Sequence, residues 1–347
     1  MRTYDVIVIG GGQSALATAY YLRRSGLRYV LLDKAPAPGG SWQYYWDSLS
    51  LFSPAQYSSL PGVLMPGGMT YPSKEAVLAY LRDYEARYQF PVIRPVAVSA
   101  VQYAEGQFHL QTSGGDYHAS AVVSATGSFS HPYTPVIADR ALYRGEVIHA
   151  SEYRHAAAFA GKRVAVVGEG NTGAQLLAEL SEVAQTIWIT LQAPSFLPDD
   201  IDGRYLFDVA TQQYAAKQQG RDFTAPSLGR IVMVPAVKAA RSRGVYAARP
   251  AFDAFWENGI AWKDGAREIV DAVIFCTGYR PALEHLAPLG LRDAKGRIAT
   301  NGTRAVGQPG LWLVGYGEWT GFASATLIGV GRSARKTVEE ITAFFSS

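Results

Sequence analysis

Twice in this chain a short apolar run ends directly in a glycine-rich turn that opens a helical stretch. Residues 5–9 (DVIVI) lead into Gly10-Gly11-Gly12-Gln13-Ser14-Ala15, and residues 163–167 (RVAVV) lead into Gly168-Glu169-Gly170-Asn171-Thr172-Gly173. Apolar runs of this length are those of parallel strands buried on both faces. In the first unit Gly10 permits a tight turn, Gly12 lets the backbone approach a pyrophosphate, and Ala15 keeps helix and strand close. The helix N-terminus then offers free N–H groups and the positive end of its dipole to the phosphates. A helix over 14–24, a stop at Gly26 and a strand over 29–32 complete a βαβ unit. Asp33 follows that strand, placed to hydrogen-bond ribose hydroxyls. The second unit repeats the plan with a helix over 172–183 and a strand over 186–190, but ends on uncharged Leu191-Gln192.

The repeat extends further. Residues 121–125 (AVVSA) form a buried-type strand closing on Thr126-Gly127, and residues 270–275 form another closing on Cys276-Thr277-Gly278. Before both, after Asp33, come Gly39-Gly40-Ser41-Trp42, a turn-rich aromatic segment with Tyr44, Tyr45 and Trp46, and an amphipathic helix over 74–88. A β-meander is expected over 96–103, 108–112 and 117–118, from glycine turns at Gly106 and at Gly114-Gly115. Residues 194–250 are proline-punctuated and basic towards their end, and read as an insertion over the cleft or as a solvated arm. A strand over 311–314 precedes Gly315-Tyr316-Gly317-Glu318 and a helix over 324–344.

Composition limits the chemistry. With 347 residues and 48% hydrophobic content there is room for two cored domains. A formal charge of +3 is too small and dispersed to argue for nucleic acid. Cys276 is the only cysteine, which excludes an internal disulfide, a thiolate metal cluster and the cysteine pair of a thiol-disulfide reductase. No metal site is expected. The chain lacks a basic leader and any apolar run near the roughly 18 residues of a membrane span, so the expectation is a soluble, cytoplasmic protein acting on small molecules.

One further pattern narrows the class. Tyr143-x-Gly145-x-x-x-His149-x-x-x-Tyr153-Arg154, just before the second glycine loop, resembles the F-x-G-x-x-x-H-x-x-x-(F/Y)-(K/R) fingerprint of the flavin-containing monooxygenases. Gly39-Gly40-Ser41-Trp42 matches that family's GG-x-W segment. LFSPA (51–55), GYGEW and ASATLIG are similar to its small bacterial branch, which accepts NADH or NADPH. The resemblance covers essentially the whole chain. It implies an α/β fold of two Rossmann-like dinucleotide-binding domains, FAD and NAD(P), the second inserted into the first. The FAD domain would comprise 1–153 and 274–347, and the NAD(P) domain 154–273 with the insertion 194–250.

On the same resemblance, FAD would be held by Gly10, Gly12, Gln13, Ser14, Asp33, Lys34, Gly40, Ser41, Trp42, Ala125, Thr126, Gly127, Glu318 and Thr326. The helix near Ser324 would aim its positive end at the flavin. NAD(P) would be held by Gly168, Gly170, Asn171, Thr172, Gly173, Leu191, Gln192, Thr277 and Gly278. No residue is expected to act as acid or base. Tyr143, Gly145, His149 and Tyr153 of the fingerprint would tie the domains together, and Phe52 of LFSPA would face the flavin where many family members carry Asn. A homodimer is the family's habit.

The implied reaction takes hydride from NAD(P)H to FAD, traps O₂ as a C4a-(hydro)peroxyflavin, and passes one oxygen to soft nucleophiles (sulfides, amines) or inserts it beside a ketone in Baeyer–Villiger fashion. The alternative is an FAD-dependent NAD(P)H oxidase or reductase that makes no oxygenated product, which an apolar Phe52 would favour. A non-catalytic dinucleotide sensor would need neither the fingerprint nor two complete loops. NADPH-selective members place an arginine after the second strand of the nicotinamide unit. With Leu191-Gln192 there, about 1.5–3 kcal/mol of phosphate binding is missing, so both coenzymes are expected to serve unless Arg204 or another arginine of the insertion supplies the charge.

Overall fold

The computed structural model of the chain describes residues 2–199, 209, 212, 216, 219, 221, 230–321 and 323–346. Arg204 and much of the expected insertion lie outside these residues. The chain divides into two compact units: 1–43, 54–131 and 280–347 make the first, and 44–53 and 132–279 the second. One α/β unit is therefore interrupted by another.

The first unit begins with β1 (Arg2–Ile9), α1 (Gln13–Leu22), β2 (Tyr29–Leu32), α2 (Lys74–Tyr88), β3 (Val92–Ile93), β4 (Val98–Ala104), β5 (Gln107–Thr112) and β6 (Tyr117–Ser124). The apolar run of β1 is fully buried from Val6 to Val8, as a central parallel strand must be. The expected meander strand at 117–118 and the buried strand at 121–125 are one strand. β6 pairs parallel with β1 along one edge, and along the other antiparallel with β5 through Tyr117–Ala119 and then parallel with the chain at 311–313, so a single strand serves three partners. On α2, the Ser73 hydroxyl caps the start by accepting the Ala76 N–H, and Val77, Tyr80, Leu81 and Tyr84 form the buried stripe.

The second unit holds β7 (Glu146–His149), β8 (Arg163–Val167), α3 (Asn171–Leu180), β9 (Gln185–Thr190), α4 (Pro235–Ser242), β10 (Ala248–Pro250), β11 (Ala254–Trp256), β12 (Gly259–Ala261), β13 (Arg267–Ile269) and β14 (Ala272–Phe275). Its main sheet runs β10-β9-β8-β14-β7, and every pair in it is parallel. Several boundaries differ from the sequence reading: residues 44–53 fall in the second unit, and the return to the first lies at 279/280 rather than 273/274. Residues 146–149 pair with β14, which draws the fingerprint into this unit and moves the division from 153/154 to 131/132. Residues 248–250 extend the sheet beside β9, so they are not part of an insertion. The antiparallel sheet β11-β12-β13 has no counterpart in the sequence reading.

The chain then returns to the first unit through β15 (Thr300–Asn301), β16 (Arg304–Ala305), β17 (Leu311–Leu313) and α5 (Leu327–Ser346). The order β17-β6-β1-β2-β3 is parallel throughout. In each unit the strand before the glycine loop is flanked by the strand after the helix and by the strand ending in Thr-Gly: β2-β1-β6 in one, β9-β8-β14 in the other. Both loops thus open at the carboxyl ends of the strands, where α/β sheets bind ligands. Among the described residues no helix is long and apolar enough to cross a membrane.

Candidate functional site

In the first unit the glycines of the loop are required by their neighbours. Gly10 has φ +120°, and a Cβ there would lie 2.6 Å from the Ala125 carbonyl oxygen at the end of β6. Gly12 is the residue before α1, and no side chain caps this helix. Gly40 faces it with φ +54°, where a Cβ would lie 2.6 Å from the Gly12 Cα. Two glycines back to back at an uncapped helix start, with no acid in its first turn, make a cradle that fits a dinucleotide pyrophosphate.

The predicted flavin residues otherwise divide by what their side chains already hold. Trp42 Nε1 donates to Gln13 Oε1 at 2.9 Å, and Gln13 Nε2 donates to the Ala325 carbonyl at 2.6 Å, so the Gln13 side chain is a strut. Ser14 is buried against Gly315, whose φ of +90° and contact with Ser14 exclude a side chain. Lys34 and Glu318 are exposed, Ser41 and Trp42 are half-buried, and a Cβ on Gly127 would meet open space. The C-terminal helix starts at Leu327 rather than Ser324. Its first turn is set by Thr326, whose hydroxyl accepts the Gly329 N–H at 3.0 Å and donates to Ala323 O at 2.8 Å. Ser324 holds the preceding loop, donating to Gly317 O at 2.7 Å.

Asp33 has partners that the sequence did not disclose. Arg94 Nε donates to its Oδ2 at 2.7 Å, while both Arg94 terminal nitrogens take the Glu85 carboxylate at 2.6 and 2.8 Å. Burial works against the Arg94 charge, and the bonds to Glu85 and Asp33 outweigh it, so its pKa is raised.

Behind Thr126 runs a chain of hydroxyls whose proton order is fixed. The Thr126 hydroxyl donates to the Ala282 carbonyl at 2.7 Å, so it must accept from Tyr316 at 2.8 Å. Tyr316 then accepts from Ser124 at 2.7 Å, and Ser124 accepts from His285 Nε2 at 3.1 Å. His285 therefore carries its proton on Nε2. Burial pushes its pKa down to about 4, helped by the charges of Arg292, His131 and Lys34. The unfolded chain takes up this proton near pH 6.5, whereas the folded state refuses it until about 4. Stability is thus lost as pH falls through that window, by about 3 kcal/mol in all. His285→Gln is expected to flatten this loss. Thermal midpoints at about pH 7 and about pH 4.5 check it, and equal falls in both proteins remove His285 as the cause.

The second unit repeats the cradle. Gly168 has φ +134°, and a Cβ there would overlap the Cys276 carbonyl, the counterpart of Ala125. Gly173 packs on the Gly168 carbonyl, which also accepts from Trp188 Nε1 at 2.9 Å. Gly170 precedes α3, again uncapped, and its Cβ position is open. The Asn171 side chain is engaged: it donates to Arg230 O at 3.2 Å and accepts the Val232 N–H at 2.8 Å. Thr172 is half-buried, while Leu191 and Gln192 are exposed. The Thr277 hydroxyl donates to Tyr133 O, and Gly278 O accepts from Tyr133 N at 2.9 Å. Cys276 is a free thiol whose pKa burial pushes up to about 12.

The fingerprint residues are all built into this second unit. A Cβ on Gly145 would overlap the Tyr143 ring, which passes close by to donate from its hydroxyl to Val270 O at 2.8 Å. His149 is buried. Its Nδ1 accepts the Ser151 N–H at 3.1 Å and its Nε2 donates to Gly278 O at 3.0 Å, and burial lowers its pKa. The fingerprint histidine is thus neutral and fastens the Thr277-Gly278 turn. Tyr153 donates to Glu179 Oε1 at 2.5 Å, and Ser48 donates to the other oxygen of that carboxylate. Arg154 donates to Tyr44 O at 2.9 Å and its carbonyl accepts the Asp47 N–H at 2.9 Å. The segment 44–53, which carries half-buried Phe52, is therefore stitched to the second unit by Tyr153, Arg154 and Glu179. Arg94, Tyr316, His285 and Glu179 were missed because the partners that place them lie 61, 192, 161 and 26 residues off in sequence, and Glu85, nine residues from Arg94, because its role depends on where Arg94 goes. The one available signal for Arg94 and Glu85 was their charge beside apolar strand and helix positions.

Comparison with known proteins agrees with this geometry. The family model for pyridine nucleotide-disulphide oxidoreductases matches residues 7–315. A Bacillus velezensis protein described as an uncharacterized oxidoreductase, CzcO, is 32% identical over 343 residues, covering 97% of this chain and 99% of its own. The solved structure of a flavin-containing monooxygenase from Stenotrophomonas maltophilia shares 47% identity with a TM-score of 0.91, covering 99% of each chain. Thioredoxin reductase of T. acidophilum, at 20% identity and a TM-score of 0.68 over 100% of each chain, shares the fold alone. With two dinucleotide cradles, the fingerprint and these likenesses together, the chain belongs to the flavin-containing monooxygenases within the pyridine nucleotide-disulphide oxidoreductase family, an oxidoreductase that works with a flavin and a nicotinamide nucleotide.

Proposed function

We propose that this enzyme binds FAD in the first unit, is reduced by NADH or NADPH bound in the second, and transfers one atom of O₂ to sulfides and amines, and to ketones by insertion. The observation that carries the reading is the paired cradle. Gly10-Gly12 facing Gly40, and Gly168-Gly170 beside Cys276, each present an uncapped helix start whose free N–H groups a phosphate can approach closely.

Bound flavin supplies the hard chemistry, taking hydride from the nicotinamide and activating O₂. For a sulfide the balance is NAD(P)H, H⁺, O₂ and R₂S giving NAD(P)⁺, H₂O and R₂SO. The protein binds and orients. Gly12, Gln13 and Ser14 offer backbone N–H groups to one pyrophosphate, and Gly170, Asn171 and Thr172 to the other. Neutral His149 holds the Thr277-Gly278 turn, and Phe52 adds an apolar surface that excludes water without donating a hydrogen bond.

No arginine follows β9, where exposed Leu191 and Gln192 stand, so NADH and NADPH are both expected to drive turnover. The decisive assay supplies a prochiral aryl alkyl sulfide with each coenzyme and scores sulfoxide against hydrogen peroxide. Sulfoxide in step with coenzyme consumed is the expected result. Peroxide alone would make the protein an NAD(P)H oxidase, and a kcat/KM for NADPH orders of magnitude above that for NADH would refute dual use.

A further inference from the structure

We propose that Glu169 reads the adenosine ribose of the nicotinamide coenzyme and tilts the enzyme towards NADH. This rests on the reading of the second unit as the nicotinamide site. The two glycine loops superimpose in plan: Gly10, Gly11 and Gly12 correspond to Gly168, Glu169 and Gly170, with φ +120° matching +134° at the first position and a helix start at the third. The residue after the second strand is Asp33 in one unit, following Leu32, and Leu191 in the other, following Thr190.

In the first unit the Asp33 carboxylate fills the space beside the second loop position, so that a Cβ on Gly11 would overlap it. In the second unit the two residues exchange roles. Leu191 has no charge, and the Glu169 side chain reaches across from the loop so that its Oε2 accepts the Leu191 N–H at 3.2 Å. Each unit therefore keeps one carboxylate between its loop and the end of its second strand, delivered from opposite sides. Leu191 itself is 78% exposed and half-buried Glu169 stands at that opening.

A carboxylate in that place accepts hydrogen bonds from ribose hydroxyls. A 2′-phosphate brings two negative charges to the same oxygens, and the repulsion weakens NADPH relative to NADH. The missing arginine after β9 merely fails to favour NADPH, whereas Glu169 acts against it. Arg230 is a cation at this end of the sheet, its Nε donating to Ser195 Oγ at 3.2 Å, and it is the alternative reader of a phosphate.

The test uses equilibrium binding of NAD⁺ and NADP⁺ to the flavin-loaded protein, which involves no turnover. Wild type is expected to bind NAD⁺ more tightly. Glu169→Gln, which keeps the shape and removes the charge, is expected to tighten NADP⁺ and loosen NAD⁺, moving the ratio of dissociation constants by about ten-fold or more. Glu169→Ala is expected to move it in the same direction, which guards against a local accident of the glutamine. A ratio unchanged within about two-fold in both variants overturns the proposal, as does a shift produced by Arg230→Ala alone. If wild type binds neither nucleotide, the inference falls together with the nicotinamide site. Absence of sulfoxide with NAD⁺ binding intact would sink oxygenation and leave the ratio readable.

Discussion

Arg94→Ala is expected to cost about 3–5 kcal/mol of stability, among the largest effects of any single side-chain truncation in the first unit. The guanidinium is 11% exposed and lies between Asp33 and Glu85, whose side chains are 6% and 14% exposed. Its Nε serves one carboxylate and its two terminal nitrogens the other in a bidentate fork. Removing it strands two carboxylates together in a poorly hydrated place. Breaking a buried pair costs far more than the pair contributes over a well-packed apolar replacement. Arg94→Lys should recover little, because a point charge cannot make the fork and reach Asp33 as well. The combination Arg94→Met, Glu85→Gln and Asp33→Asn should recover most of the stability. Thermal unfolding of the flavin-loaded proteins at one fixed flavin concentration checks the series, since bound ligand shifts every midpoint. A midpoint for Arg94→Ala within about 2 °C of wild type would show that water reaches the cluster and that the ion pairs carry little.

The same cluster shows what the sequence discloses and what it hides. The sequence made legible the two strand-loop-helix units and the Thr-Gly strand ends, because these depend on local pattern: apolar runs, glycine spacing and helical period; the insertion of one α/β unit in another came from the family resemblance. Asp33 was legible as an acid twenty-odd residues after a glycine loop. Its arginine was not, since Arg94 lies 61 residues further on and reaches it only through the packing of β3 beside β2. The hydroxyl chain from Thr126 to His285 was hidden for the same reason, with partners 156 to 192 residues apart. The fingerprint is visible as a spacing, and by resemblance it implies a link between units. The structure gives that spacing a local cause within one unit: Gly145 clears the Tyr143 ring, His149 reaches the Gly278 carbonyl, and Tyr153 and Arg154 fasten residues 44–53. β10 was hidden because three residues carry too little pattern, and only pairing with β9 reveals them as sheet.

Single alanines at the glycine loops are expected to separate the two sites. Gly10→Ala places a Cβ 2.6 Å from the Ala125 carbonyl, and Gly168→Ala overlaps the Cys276 carbonyl, both at φ values that side chains rarely adopt. Both strand ends are pinned beside these carbonyls, the Ala125 N–H by Ile9 O at 2.9 Å and the Cys276 N–H by Val167 O at 2.7 Å. Backbone strain and overpacking together cost about 3 kcal/mol or more, and the loop that meets the pyrophosphate is displaced. Gly10→Ala should therefore be purified with little bound flavin. Gly168→Ala should keep its flavin absorbance and lose NAD⁺ binding by about a hundred-fold, as expected when several backbone N–H contacts are misplaced together. Gly170→Ala supplies the control that assigns the cause. Its φ is −93° and its Cβ meets nothing within 4 Å, so the thermal midpoint should not move. If a phosphate group does approach this backbone, that open space is where it must pass, and the added methyl will weaken NAD⁺ while leaving the fold untouched. Unchanged binding in Gly170→Ala would mean that the glycine answers to the turn alone, and that the nucleotide takes another route across the sheet.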